Sequence, residues 1–367
     1  MNCKKQISGI ASIIVVTTLG TFLFSHVAFS VFQDKYPSLL KIWNRWDTAH
    51  YLDIAERGYS NSAIGERHLR IVFLPLYPLL IRLFNQIFNN YILSALMVSN
   101  LAYIVAAFYL YKLVLLDYEE ETALKAVFYF SIFPTAYFLH AGYTESPFLA
   151  LTISSFYYGR KGNWSLSGLT GMLASATRMT GIVLLPALIL EYMYQRGFRI
   201  RDIKKDVSWL ALVPIGLASY LLINYMVFGD PLRFLDIEKG HWSKTLTFPW
   251  KGLLGSWGAT GSPSSVYGTL VGWAEFAFGL LVYVLAILAL FVRLRPSYIL
   301  YMIATWLVVT STSFLLSTPR YALSVFPVFI TLSLFGRRRE ADYAITFTSL
   351  LLFALFLTHF VLGRWAF

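Results

Sequence analysis

Cysteine is almost absent from this 367-residue chain. Cys3 is the only one, so no disulfide framework and no thiolate metal site can be built, and Cys3 itself reads as an inert thiol. Charged residues are also scarce, at 13%. No glycine-rich loop stands where a nucleotide fingerprint would need it, and neither an HExxH pair nor a GxSxG elbow occurs. Activated nucleotides, zinc-dependent hydrolysis and elbow-type serine chemistry therefore lack support. No linker divides the chain, which excludes a pair of soluble domains joined by a tether. The formal charge of +11 sits in short clusters between hydrophobic runs and not in a stripe with interleaved aromatics, so nucleic acid is not an expected partner.

Apolar residues are what the chain has in excess. Hydrophobic residues make up 57% of it and the mean hydropathy is +0.61, more apolar surface than a soluble core of this length buries. Runs recur from Ile7 to Leu362, several longer than the roughly 20 residues that cross a bilayer as a helix. The sequence thus predicts an all-α polytopic membrane protein, a single integral domain over 1–367, with membrane lipids as its solvent. The first run, Ile7 to Phe32, follows Lys4 and Lys5 and reads as a retained signal anchor, its apolar stretch being too long for a cleaved leader.

Basic clusters mark cytoplasmic loops. Lys4/Lys5, Arg160/Lys161, Arg196 to Lys205, Arg293/Arg295 and Arg337 to Arg339 are placed inside, which puts the N-terminus in the cytoplasm. Counting outward from these clusters is self-consistent only if Ile71 to Phe88 does not cross. Two prolines in FLPLYP (Phe73 to Pro78), with Arg82 and Asn85, suit an interfacial or re-entrant segment instead. The expectation is about eleven spans, a large first external loop over 33–90 carrying interfacial helices, and a second over 228–266. Some spans, such as Thr144 to Tyr158 and Leu166 to Thr177, are short.

On this topology the polar residues outside form one set. They are RWDTAHYLDIAERGY (Arg45 to Tyr59), HAGYTES (His140 to Ser146), TRMTG (Thr177 to Gly181), FGDPLRFLDIEKGHW (Phe228 to Trp242) and STPRY (Ser317 to Tyr321). A membrane enzyme needs such groups gathered in a water-filled cavity near the membrane surface. Asp47, His50, Asp53, Ile54 and Arg57 recur at three or four residues and share a helix face. Asp47 suits either an N-cap or a general base toward a hydroxyl. His50 suits orientation of the acceptor or of that carboxylate, or a structural hydrogen bond; Asp53 and Glu56 suit a solvated face. Glu145 stands at a helix start, where the macrodipole favours a carboxylate and where one could also assist the base. Arg178 and Arg320 suit forked contacts to phosphate or snorkelling to headgroups. Arg233, His241 and Trp242, in a loop able to close over a ligand, and Tyr321 complete the candidate binding residues. The carboxylates do not form a DxD pair, which leaves a divalent ion, Mg or Mn, open.

Taken in order, RWDTAHYLDIAERGY, FLPLYPLLIR, FPTAYFLHAGYTES, ATRMTGIVLLP, FGDPLRF and STPRYALSVFPVF resemble the PIG-V family of mannosyltransferases, of the GT-C class, from about residue 43 to about residue 330. The resemblance implies a GT-C-like fold, an extracytoplasmic active site and a polyprenyl-phosphate sugar donor, commonly carrying mannose. Eukaryotic members add the second mannose to GPI-anchor precursors. Residue by residue, the aspartate of the family's WD motif falls on Asp47, and its external acidic and arginine positions look like Glu145, Arg178 and Arg320. The short loops point to a prokaryotic member acting on another glycolipid or glycan acceptor, in a plasma membrane and not an endoplasmic reticulum. One carboxylate suffices for an inverting transfer, because a phosphate leaving group needs little protonation. The rival reading is a transporter or lipid-carrier flippase. It is disfavoured because no internal repeat appears and the charges gather at one face.

Overall fold

The computed structural model describes residues 3–34, 38–260 and 266–367, and among these the chain is helical, with one isolated bridge between Leu246 and Thr312. The helices, in chain order, are α1 (Cys3–Gln33), α2 (Asp47–Arg57), α3 (Leu76–Phe88), α4 (Tyr91–Val114), α5 (Glu120–Ile132), α6 (Glu145–Arg160), α7 (Trp164–Ser175) and α8 (Leu184–Gln195). There follow α9 (Val213–Phe228), α10 (Arg233–Trp242), α11 (Pro249–Thr260), α12 (Val266–Phe291), α13 (Pro296–Thr310), α14 (Thr318–Leu323), α15 (Pro327–Phe335) and α16 (Arg339–Val361).

Among the described residues five helical stretches are long and apolar enough to cross a bilayer: Ser8–Gln33, Tyr91–Val114, Lys205–Phe228, Gly268–Phe291 and Arg339–Val361. Their outward residues stay exposed, as Val16, Leu19 and Leu23 do on α1, which is how a helix facing lipid looks without its solvent. An eleven-pass path would also need the shorter helices α5, α6, α7, α8 and α13, with α14 and α15 together as one pass. The FLPLYP region behaves as its prolines dictate. The 3-10 segment Ile64–Val72 and α3 meet at 119°, with Pro75 at the N-cap of α3, so no straight span forms there.

Side-chain caps start two of the central helices. Asn90 accepts from the Leu93 amide at 3.0 Å at α4, and Asn163 accepts from the Leu166 amide at 3.2 Å at α7. Small residues then bring α7 and α9 into backbone contact. A Cβ on Gly216 would lie 1.9 Å from the Met172 carbonyl oxygen, so only glycine allows this crossing.

α6 fixes the polarity of the bundle. Its first residue, Glu145, lies in the cavity described below. Its last, Arg160, donates both terminal nitrogens to Asp117 at 2.6 Å. The two are about 22 Å apart along the helix axis. Around Arg160 the buried Glu191 accepts from Arg295 at 2.8 Å and from Ser297 at 2.6 Å. These bonds tie α6, α8, α13 and the α4–α5 turn together at the end rich in basic residues.

Candidate active site

The site grows from the start of α2. Trp46, at φ 48°, turns the chain sharply into the helix, and no side chain caps it. Asp47 is the first helical residue and not the N-cap. Its carboxylate instead accepts from Arg320 at 2.7 Å. The turn that precedes α6 packs close beneath: a Cβ on Gly142 would meet Thr48 at 2.7 Å. The Tyr143 hydroxyl donates to the Arg45 carbonyl at 3.1 Å, which fixes the approach to Asp47.

Four charges alternate along one line. Arg178 donates to Glu145 in a close hydrogen bond, and to the Thr144 hydroxyl at 3.2 Å. Glu145 lies 3.5 Å from Arg320 Nε, and Arg320 reaches Asp47. Glu145 is 1% exposed and Arg178 9%, so each charge is tolerated only because its neighbour balances it. Aromatic faces complete the desolvation. Arg178 stands 4.9 Å from the Tyr321 ring, and Arg320 stands 5.3 Å from Tyr143 and 5.5 Å from Phe138. One oxygen of Glu145, Oε2, is buried and has no hydrogen-bond partner among the described residues.

These residues line a cavity of about 290 Å³ together with Tyr51, Glu238, Trp242, Lys244 and Trp365. Val72, Leu74, Val308 and Val309 supply an apolar wall. The segment after α10 closes over it. After α10, Ser313 donates to the Thr245 carbonyl at 3.0 Å and Thr247 to the Ser311 carbonyl at 3.1 Å, so residues 243–248 lie as a strap on the segment before α14. The strap carries Lys244 to 5.9 Å from the Tyr321 ring. Among the described residues the Lys244 ammonium has no hydrogen-bond or ion-pair partner, whereas both cavity arginines are committed to carboxylates. Burial pushes the Glu238 carboxyl above its ordinary range; the charge of Asp47 adds to this and Lys244 opposes it.

Asp47, Glu145, Arg178, Trp242, Arg320 and Tyr321 are thus brought together from five separate segments. His50, Arg233 and His241 do not line the cavity. His50 stacks on Phe73 at 5.0 Å, and burial lowers its basicity against the pull of Asp47. Arg233 pairs with Asp236 at 3.2 Å on the exposed side of α10. His241 packs against the Trp242 ring at 4.4 Å. Asp53 is taken by Arg70, with Arg67 and Arg57 at 3.5 and 3.6 Å. Among the described residues no group of three or more His, Cys, Asp or Glu converges as a metal centre. Sequence reasoning held Glu238 only as one of several polar residues of a loop able to close over a ligand, and it missed Lys244, which nothing in the sequence distinguishes from its neighbours. It also missed Glu275, a lone acid in an apolar helix, whose unusual setting was a signal.

Residues 74–223 match the family model for dolichyl-phosphate-mannose-protein mannosyltransferases. The chain is 32% identical over 166 residues to GPI alpha-1,6-mannosyltransferase 2 of Mus musculus, covering 42% of this chain and 32% of that protein. It is 30% identical over 172 residues to the Rattus norvegicus protein of the same name, covering 44% and 33%. The chain therefore spans about a third of the length of these curated relatives. Among solved structures it resembles ArnT from Cupriavidus metallidurans, crystallised with undecaprenyl phosphate. The TM-score is 0.55 at 14% identity, over 90% of this chain and 62% of that one, a likeness of fold.

Proposed function

We propose that this chain, PIG-V-like in sequence and GT-C-like in fold, transfers a hexose, mannose foremost, from a polyprenyl-phosphate sugar to a lipid or glycan acceptor at the extracytoplasmic face. The observation that carries the reading is the cavity in which Asp47 and Glu145 alternate with Arg320 and Arg178 while Lys244 stands uncommitted above them. A carboxylate beside a guanidinium, with a spare cation over an apolar wall, suits a phosphate-linked sugar on a hydrocarbon tail.

In this mechanism the donor phosphate settles between Lys244 and Arg320, and its tail leaves along Val308 and Val309. The phosphate draws the Arg320 guanidinium toward itself and loosens its hold on Asp47. Asp47 then takes the proton of the acceptor hydroxyl as that oxygen attacks the anomeric carbon. The bond from that carbon to the phosphate oxygen breaks, its electron pair leaves with the polyprenyl phosphate, and the anomeric centre inverts. Arg320 and Lys244 balance the charge gained by the leaving phosphate. Glu145 holds both arginines in place. The reading also carries an eleven-pass path in one integral domain, a cytoplasmic N-terminus and an external cavity, in the plasma membrane of a prokaryote. Its support is α6, which runs from the cavity to the end rich in basic residues.

The test is sugar release by the protein in lipid nanodiscs from radiolabelled polyprenyl-phosphate mannose and polyprenyl-phosphate glucose, with a membrane lipid extract as acceptor, with and without EDTA. Transfer of mannose into the extract supports the reading. No binding of either donor, together with lipid scrambling or solute uptake in vesicles, replaces it with the transporter reading.

A further inference from the structure

We infer that Glu275 is the positioning residue for Arg320. Glu275 is the only charged residue in the 26-residue helix α12, and it is 5% exposed. An ionisable side chain in such a helix is costly and is kept where it does something specific. Its two oxygens reach one short stretch of chain. Oε1 accepts from the Ser317 amide at 2.6 Å, and Oε2 accepts from the Thr318 amide at 2.8 Å. The Thr318 hydroxyl lies 2.7 Å from Oε2 and 2.7 Å from the Glu275 carbonyl, so it donates to one or the other.

That stretch is the turn into α14, and it ends in the cavity. Ser317 adopts φ +66°, a left-handed conformation uncommon for a residue with a side chain, so something must hold it there. The Glu275 carboxylate does so by gathering two successive amides. Further along, the Pro319 carbonyl accepts from the Thr135 hydroxyl at 2.8 Å. Two residues past Thr318 the guanidinium of Arg320 meets Asp47 at 2.7 Å and Glu145 at 3.5 Å. Glu275 does not line the cavity; it acts by fixing where the Arg320 backbone stands. A shift of about 1 Å there would misplace the cation between base and leaving group. The inference rests on the reading of Arg320 given above.

Glu275→Gln keeps the shape but has a single amide oxygen, so the Ser317 or the Thr318 amide loses its acceptor. In nanodiscs this variant is expected to lower kcat at least about tenfold with a smaller rise in donor KM, since Arg320 shares the donor phosphate with Lys244, which is carried by a different segment. In an Arg320→Ala background the same substitution is expected to change kcat by less than about twofold, because the residue it acts through is gone. An equal loss in both backgrounds, which a general structural role would give, overturns the inference, as does a wild-type kcat in Glu275→Gln. Amide hydrogen exchange supplies a readout independent of the chemistry. Exchange at 317–318 should quicken in Glu275→Gln and stay slow in Asp47→Asn; unchanged protection in Glu275→Gln overturns the inference. If wild type transfers no sugar, the reading of the site falls while exchange still decides the grip on the turn. Should Glu275→Gln fail to insert, Thr318→Ala keeps both amide bonds and is expected to show a smaller loss with the same dependence on Arg320. An additive loss there counts against the inference.

Discussion

Glu145→Gln is the perturbation that most directly probes the charge array. Removing one member of a buried ion pair costs about 3–5 kcal/mol, because the partner is left uncompensated. Three features of the cavity reduce that cost. Asp47 still holds Arg320 at 2.7 Å, the Thr144 hydroxyl still accepts from Arg178 at 3.2 Å, and an amide oxygen can stand where Oε1 stands, with its NH₂ in the partnerless place of Oε2. The expected loss is then about 2 kcal/mol, which lowers the unfolding midpoint by several degrees. If the same amount appears in the transition state, kcat falls roughly 30-fold. Thermal unfolding in nanodiscs, followed by tryptophan fluorescence, and single-donor kinetics measure the two. The double variant Glu145→Gln/Arg178→Met removes the stranded charge and should recover most of the stability but not the rate. Wild-type stability and rate in Glu145→Gln would refute the idea that this carboxylate organises the arginines.

Two further outcomes follow from the strap and its neighbours. Lys244→Met should raise donor KM about tenfold or more with little change in kcat, because it removes the uncommitted cation and leaves the Arg320–Asp47 pair intact; an unchanged KM would remove Lys244 from the phosphate site. Burial raises the Glu238 carboxyl, so the fold binds its proton more readily than the unfolded chain does. The contribution of Glu238 to stability is therefore lost as pH rises through the window between the ordinary carboxylate value and the raised one. Protonation also removes a negative charge near Lys244, so donor affinity should rise as pH falls through that window, and Glu238→Gln should flatten the dependence. An opposite slope, or an equal slope in the variant, would contradict this.

Hydropathy alone makes the chain a helical membrane protein, and the charge pattern separates the end carrying Arg160 from the end carrying Glu145. The prolines of FLPLYP announce the bend that interrupts Ile64–Val72 and α3. Motif residues were legible where the backbone forces them into place. Asp47 follows the turn at Trp46, and Glu145 opens α6. Helical spacing set His50 near Asp47, whose charge acts on it, and left its other neighbour unread. His50 shares a face with Asp47 by count, but Phe73 comes in from the next segment and stacks on it, a tertiary event that spacing does not encode. Arg233 and His241 look equivalent to Lys244 in sequence. Only the pairing of 243–248 with the segment before α14 decides which cation reaches the cavity, and that pairing spans about 70 residues.

The central claim is that Asp47 receives the proton of the acceptor. Transfer from polyprenyl-phosphate mannose by Asp47→Asn, compared with wild type in the same nanodiscs, tests it most directly, because asparagine keeps the contact to Arg320 and loses only the basic carboxylate. The account predicts that transfer falls by at least about a hundredfold while donor binding persists. Transfer at the wild-type rate would contradict it and leave Glu145 as the only other carboxylate of the array.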